Sequence, residues 1–146
     1  MFADTSAIVK LYVEEVSAEV MRSITDVAIS ELTRVELPAA LWRKHRAGEL
    51  SSESAGVLSG AFEADYYRSE GDGRYTVVRV SDAIMVTAAL LVARSDLRAG
   101  DAIQLASAVL ARQAEPELTT FAAFDARLRT AAAIEGFALL PPTLAA

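Results

Sequence analysis

The 146-residue chain carries 20 acidic and 14 basic side chains, a net charge of -6 that argues against a protein gripping nucleic acid through a broad basic surface. With no cysteine and a single histidine, His45, it has no disulfides, thiolate zinc sites or cysteine nucleophiles, and histidine zinc sites and imidazole triads are all but excluded. Apolar residues make up 53% of the chain, yet no apolar run approaches the roughly 20 residues that span a bilayer, and the start lacks the basic region of a secretory signal, so one cytoplasmic globular domain over 1–146 is expected.

Residues 1–4 begin a short buried strand, and Thr5-Ser6 offers a hydroxyl cap for a helix over 7–13. A strand-to-helix turn then falls at Asp4. A short helix near 18–21 precedes a second strand at 27–29, with Ser30 as the expected cap of a long helix that Gly48 stops. On that helix Leu32, Val35, Ala39 and Trp42 recur at helical spacing and form the expected packing stripe. Pro38 should kink it locally unless the helix starts later. His45, inside the run Arg43-Lys44-His45-Arg46, is expected in solvent.

Beyond it, the pattern predicts a helix over 51–67, a loop at 70–73 and a strand over 75–80. Helices follow over 83–94, capped by Ser81-Asp82, and over 101–112. A strand at 118–121, a helix over 125–134 and a last strand at 137–140, ended by Pro141-Pro142, complete the chain. Strands alternating with one or two helices predict a parallel sheet with helices on both faces.

In such sheets function gathers beyond the carboxyl ends of the strands. Four acids fall at such places: Asp4 after the first strand, Glu36 on the helix after the second, Asp101 at the start of a helix, and Asp125 after the fourth strand. Each alone reads more readily as a cap or a solvated surface acid, but their joint placement points to a site, and their apolar neighbours argue against free solvation. Two carboxylates about 5 Å apart repel by about 3 kcal/mol at an effective dielectric near 20, so four together call for a cation. Oxygen-only ligation selects Mg2+ or Mn2+, whose chemistry is chiefly that of phosphate. Asp101, near a helix N-terminus, is expected to stay ionised. Arg43, about two turns or roughly 10.5 Å along the helix from Glu36, is placed to reach a neighbouring phosphate or simply to solvate the helix end.

The segments MFADTSAIVKLYVEE, SELTRVELPAALWRKHRAGELS, LRAGDAIQLASAV and TTFAAFDARLRTAAAIEGFALLP resemble, in order, the four blocks of PIN-domain proteins, especially VapC-like toxins of bacterial toxin-antitoxin pairs. The resemblance covers nearly the whole chain apart from about 52–75. It implies a three-layer α/β/α domain with a parallel sheet of four or five strands. It further implies a magnesium site formed by Asp4, Glu36, Asp101 and Asp125 with Ser6 in support, endoribonuclease activity, a homodimer, and a small antitoxin that inserts a segment into the groove. Three positions depart from the common pattern: Gly100 replaces a larger residue, Gln104 a histidine, and Ala123 a hydroxyl residue that would support Asp125. Arg127 matches a basic residue often found there. The expected function is Mg2+-dependent hydrolysis of RNA phosphodiester bonds by a toxin; the alternatives are a housekeeping RNA-processing nuclease, a catalytically silent binding module of the same fold, and a phosphatase-like hydrolase.

Overall fold

The computed structural model describes residues 1–15, 18–68 and 73–144. In chain order the elements are β1 (Phe2–Ala3), α1 (Thr5–Tyr12), α2 (Ala18–Arg22), β2 (Val27–Ser30), α3 (Thr33–Arg46), α4 (Ser52–Tyr67), β3 (Tyr75–Val78), α5 (Asp82–Arg94), α6 (Ala99–Ala114), β4 (Thr120–Ala122), α7 (Ala126–Ile134) and β5 (Ala138–Leu140). All five strands pair in parallel, in the order β3-β2-β1-β4-β5. Phe2 stands opposite Phe121 and Ala3 opposite Ala122.

The central strands are buried on both faces, as parallel strands between helices must be, and their side chains alternate between two cores. Phe2, Ala28 and Phe121 point into one core with α5, α6 and α7. Ala3, Ile29 and Ala122 point into the other with α1, α2, α3 and α4. The result is the expected three-layer α/β/α arrangement. Among the described residues no helix is long and apolar enough to cross a membrane.

The strand order places a switch point between β1 and β4. From β1 the chain winds outward through β2 to β3, then crosses to β4 and β5 on the other side. The segment leaving β1 enters α1 on one face, while the segment leaving β4 enters α7 on the other. Diverging exits of this kind leave a crevice at the carboxyl ends of the two strands.

Several local expectations shift. On α3 the buried positions are Thr33, Leu37 and Leu41, whereas Val35 is 70% and Trp42 38% exposed and Ala39 is exposed. Apolar residues occur all round this helix, so spacing gave the period and not the phase. Ser30 ends β2 instead of capping α3, although its hydroxyl accepts from the Leu32 N–H at 3.3 Å. The helix runs through Pro38. The His45 ring is not in open solvent: it is half-buried, packs on Trp42 and donates from Nδ1 to the Leu50 carbonyl at 3.0 Å. The loop expected at 70–73 lies, apart from Gly73, outside the described residues.

Arg129 on α7 is buried, with no carboxylate partner among the described residues. Its Nη1 donates to the carbonyls of Ala123 at 2.9 Å and Leu140 at 3.3 Å, and its Nη2 to those of Pro141 at 2.7 Å and Pro142 at 3.2 Å. Burial pulls its pKa down, and the four carbonyls stand in for the water it has lost. Arg129→Leu strands those acceptors and should lower stability by about 2–4 kcal/mol, measurable by urea unfolding. A loss within about 0.5 kcal/mol would show that the clamp contributes little.

Candidate active-site cleft

Asp4 follows β1 directly and is only 5% exposed. It is itself the cap of α1, in place of the Thr5-Ser6 pair: its Oδ1 accepts from the Ala7 N–H at 3.2 Å and from the Ser6 hydroxyl at 2.7 Å. Ser6 Oγ in turn accepts from the Phe124 N–H at 2.8 Å, and the Asp4 N–H donates to the Ala122 carbonyl at 3.0 Å. The Ser6 hydroxyl therefore stitches the turn after β1 to the turn after β4 across the switch point. Asp125 caps α7, its Oδ1 accepting from the Leu128 N–H at 2.9 Å. Contrary to expectation it is exposed. Ala123, where a hydroxyl was missed, is buried and held by its backbone, with the N–H to Leu140 and the carbonyl to Arg129.

Glu36 reaches the same place from the first turn of α3. Its Oε2 accepts from the Thr5 hydroxyl at 2.6 Å and from Gln104 Nε2 at 2.8 Å. Gln104 Nε2 also faces the Thr5 and Thr33 hydroxyl oxygens, each at 3.0 Å. Asp101 does not open its helix: α6 begins at Ala99 behind an Arg98 cap whose side chain makes no capping bond, which leaves Asp101 in the first turn. Gly100 beside it closes on Glu36, since a Cβ at this position would stand 2.7 Å from Glu36 Oε1. The larger residue expected here would compete with that carboxylate for space.

Burial pushes the Asp4 carboxyl up to about 7, against the Ser6 and Ala7 hydrogen bonds and with help from the charge of Glu36. The Asp101 carboxyl is also raised, first by burial and then by the charges of Asp125 and Glu36, while Arg98 pulls the other way. The helix N-terminus thus does not prevent this rise, contrary to the expectation that it would hold the Asp101 carboxyl down. Burial leads in both shifts, and repulsion from the neighbouring acids adds to it.

All four acids and Ser6 line one cleft of about 800 Å³. Their oxygen-only donor set fits a hard divalent cation chemically. In the arrangement seen, no three carboxylates among the described residues stand close enough to hold one ion. Two of them, Asp4 and Asp125, already spend an oxygen on helix capping.

Cations stand at the wall and rim of the cleft: Lys10, Arg43, Lys44 and Arg98. Lys44 pairs with Glu15 and, at 2.8 Å, with Glu49, while Lys10 pairs with Glu15 at 3.0 Å and lies over the Phe124 ring. Arg43 lines the cleft as its spacing from Glu36 suggested. Arg127 does not; it is exposed and meets Asp96 at 3.3 Å. Sequence reasoning missed Thr5, Thr33 and Arg98, and it noted Gln104 and Gly100 only as departures from a pattern. No period or motif marks the hydroxyl pair, whose partners lie on other helices.

The folded protein keeps the Asp4 proton to about pH 7, while the unfolded chain releases it near the ordinary 3.8. Between these values the folded state binds more protons, so this group's contribution to stability declines as pH rises from about 4 to about 7 and stays lost above. Asparagine caps a helix as aspartate does. In chelator, Asp4→Asn should therefore melt above the parent, with the gap widening between pH 5 and pH 8 to about 2–4 kcal/mol. Thermal melts across that range check it, and a gap independent of pH would contradict the burial of a protonating carboxyl.

No family model and no curated protein matches this chain.

Proposed function

We propose that the chain is a divalent-metal-dependent endoribonuclease of the PIN-domain type, serving as the toxin of a toxin-antitoxin pair. The observation that carries this reading is the meeting of Asp4, Glu36, Asp101 and Asp125, from four separate segments, in one cleft at the switch point of a parallel sheet, beneath a rim of cations. Four acids gathered in one cleft, with the carboxyls of Asp4 and Asp101 raised by burial, need a reason beyond packing. Asp4, Asp101 and Asp125 would hold Mg2+, or Mn2+ in its place. Bound there, the ion would offset their repulsion, neutralise a phosphate oxygen and make a nearby water more acidic.

The protein's own groups divide the remaining work. Glu36 leaves Oε1 to orient the attacking water or a second ion. Ser6 fixes Asp4 and the turn that carries Asp125. Arg43 and Arg98 attract flanking phosphates that the acids would otherwise repel. A small antitoxin protein would silence the site by laying a segment in the cleft, where a basic side chain would meet the acids.

One observation favours a catalytically silent binding module instead: the carboxylate spacing, which holds no single ion as it stands. Cleavage separates the readings. Purified protein freed of partners should cut RNA with Mg2+ or Mn2+ and be inactive in chelator, and Asp101→Asn should lose roughly 100-fold or more of the rate. Cleavage that survives chelation would sink the metal mechanism, and none under any metal would favour the silent module.

A homodimer belongs to the same reading. Met85, Val86, Leu90 and Val92 on α5 are exposed, in a helix without charge from Ala83 to Ala93, and form an apolar outer surface. Light scattering at micromolar concentration should give a dimer mass, reduced to a monomer by Leu90→Glu. A folded parent that runs as a monomer would contradict it.

A further inference from the structure

Glu36 is held by a residue that the chemistry above does not use. Gln104 is 1% exposed, and its Nε2 carries two hydrogens among three acceptors: Glu36 Oε2, Thr5 Oγ1 and Thr33 Oγ1. Its other end, Oε1, is buried with no hydrogen-bond partner among the described residues. Turning the carboxamide over would satisfy nothing at Glu36, because it would set Oε1 against the carboxylate oxygen. The stranded acceptor therefore follows from giving Glu36 a donor, and a stranded acceptor costs stability. An apolar side chain of the same length would fill the space without that cost.

A second local cost falls on the same carboxylate. Glycine in the first turn of a helix is less stable than alanine, yet Gly100 leaves the space that Glu36 Oε1 occupies. One oxygen of Glu36 is thus pinned by Gln104 and Thr5, and the other is given room beside the residue preceding Asp101. Neither feature serves the packing of the core.

We propose that Gln104 is a positioning residue: with Thr5 it holds Oε2 of Glu36 so that Oε1, in the space left by Gly100, is presented to the cleft. This rests on the reading of the cleft as a nuclease site. Gln104 touches no substrate and acts only through Glu36. Removing its donor leaves the core filled but lets the carboxylate rotate, and misplacement of a reacting group by about 1 Å costs on the order of 100-fold in rate.

The test compares the parent with Gln104→Met, which keeps length and volume and removes the amide. Steady-state cleavage of RNA in Mg2+ should show kcat lower by about 10- to 100-fold, KM within about threefold, and an unchanged or higher melting temperature in chelator. Gln104→His, which restores a ring N–H donor, should recover a large part of kcat. Parent-like kcat in Gln104→Met, a loss carried by KM, a loss matched by a fall in melting temperature, or no recovery with histidine would each overturn the proposal. Failure of the nuclease reading is recognised separately, by a parent that cuts no RNA. The clamp is then judged from melts in chelator alone, in a double-mutant cycle of Gln104→Met with Glu36→Ala. Coupling of about 3 °C or more supports it, and additive shifts overturn it.

Discussion

Taking the Asp4 carboxylate out of water at the end of the central strand is the constraint from which the rest of the cleft follows. A carboxylate that is 5% exposed loses most of its hydration and must find donors in the protein. It finds them in the first turn of α1, where the Ser6 hydroxyl and the Ala7 N–H both point at Oδ1. Those donors do not fully compensate, which is why its proton is held to about pH 7. Ser6 can serve only if its own oxygen is oriented, and the Phe124 N–H from the turn after β4 does that. Solvating one acid thereby aligns two strands, two turns and two helices.

The opposite wall obeys the same logic by different means. Glu36 is met by hydroxyl and carboxamide donors from α1 and α6, with Thr33 of its own helix closing the network. Asp101 has the weaker support, and its carboxyl rises under burial and two neighbouring charges. The lysines of the rim are partly occupied by Glu15 and Glu49, so positive charge is kept near the acids without collapsing onto them. Beneath the turn after β4, the Arg129 guanidinium ties the Ala123 carbonyl to the end of β5.

The layers and the direction of the sheet were legible because strand and helix periods alternate along the chain and because parallel strands demand crossover helices. Asp4 was legible as the residue that ends an apolar pair and precedes hydroxyls. The phase of α3 was not, because Val35, Leu37, Ala39, Leu41 and Trp42 offer apolar faces in several directions, and only the packing of α3 against α1, α4 and β2 selects Leu37 and Leu41. The caps moved by a residue or more because Ser, Thr and Asp compete for the same role at Asp4, and geometry chose the aspartate. Gln104 and Thr33 were invisible as site residues since Gln104 meets Glu36 and Thr33 across 68 and 71 residues and Thr33 meets Thr5 across 28, beyond any local pattern. Gly100 looked like a defect in a motif and became intelligible only once Glu36 was seen against it.

The hydroxyl of Ser6 and the amide of Phe124 are separated by 118 residues of chain. The cleft therefore cannot be assembled from any early portion of the polypeptide. A nascent chain that has emerged as far as α6 already carries three of the four acids, yet it lacks β4 and hence one wall of the crevice, and the turn after β1 has nothing to close upon. Long-range parallel pairing of this kind is formed late, after much chain entropy has been lost. During synthesis on the ribosome, the site comes into being only once the β4–α7 turn has left the exit tunnel.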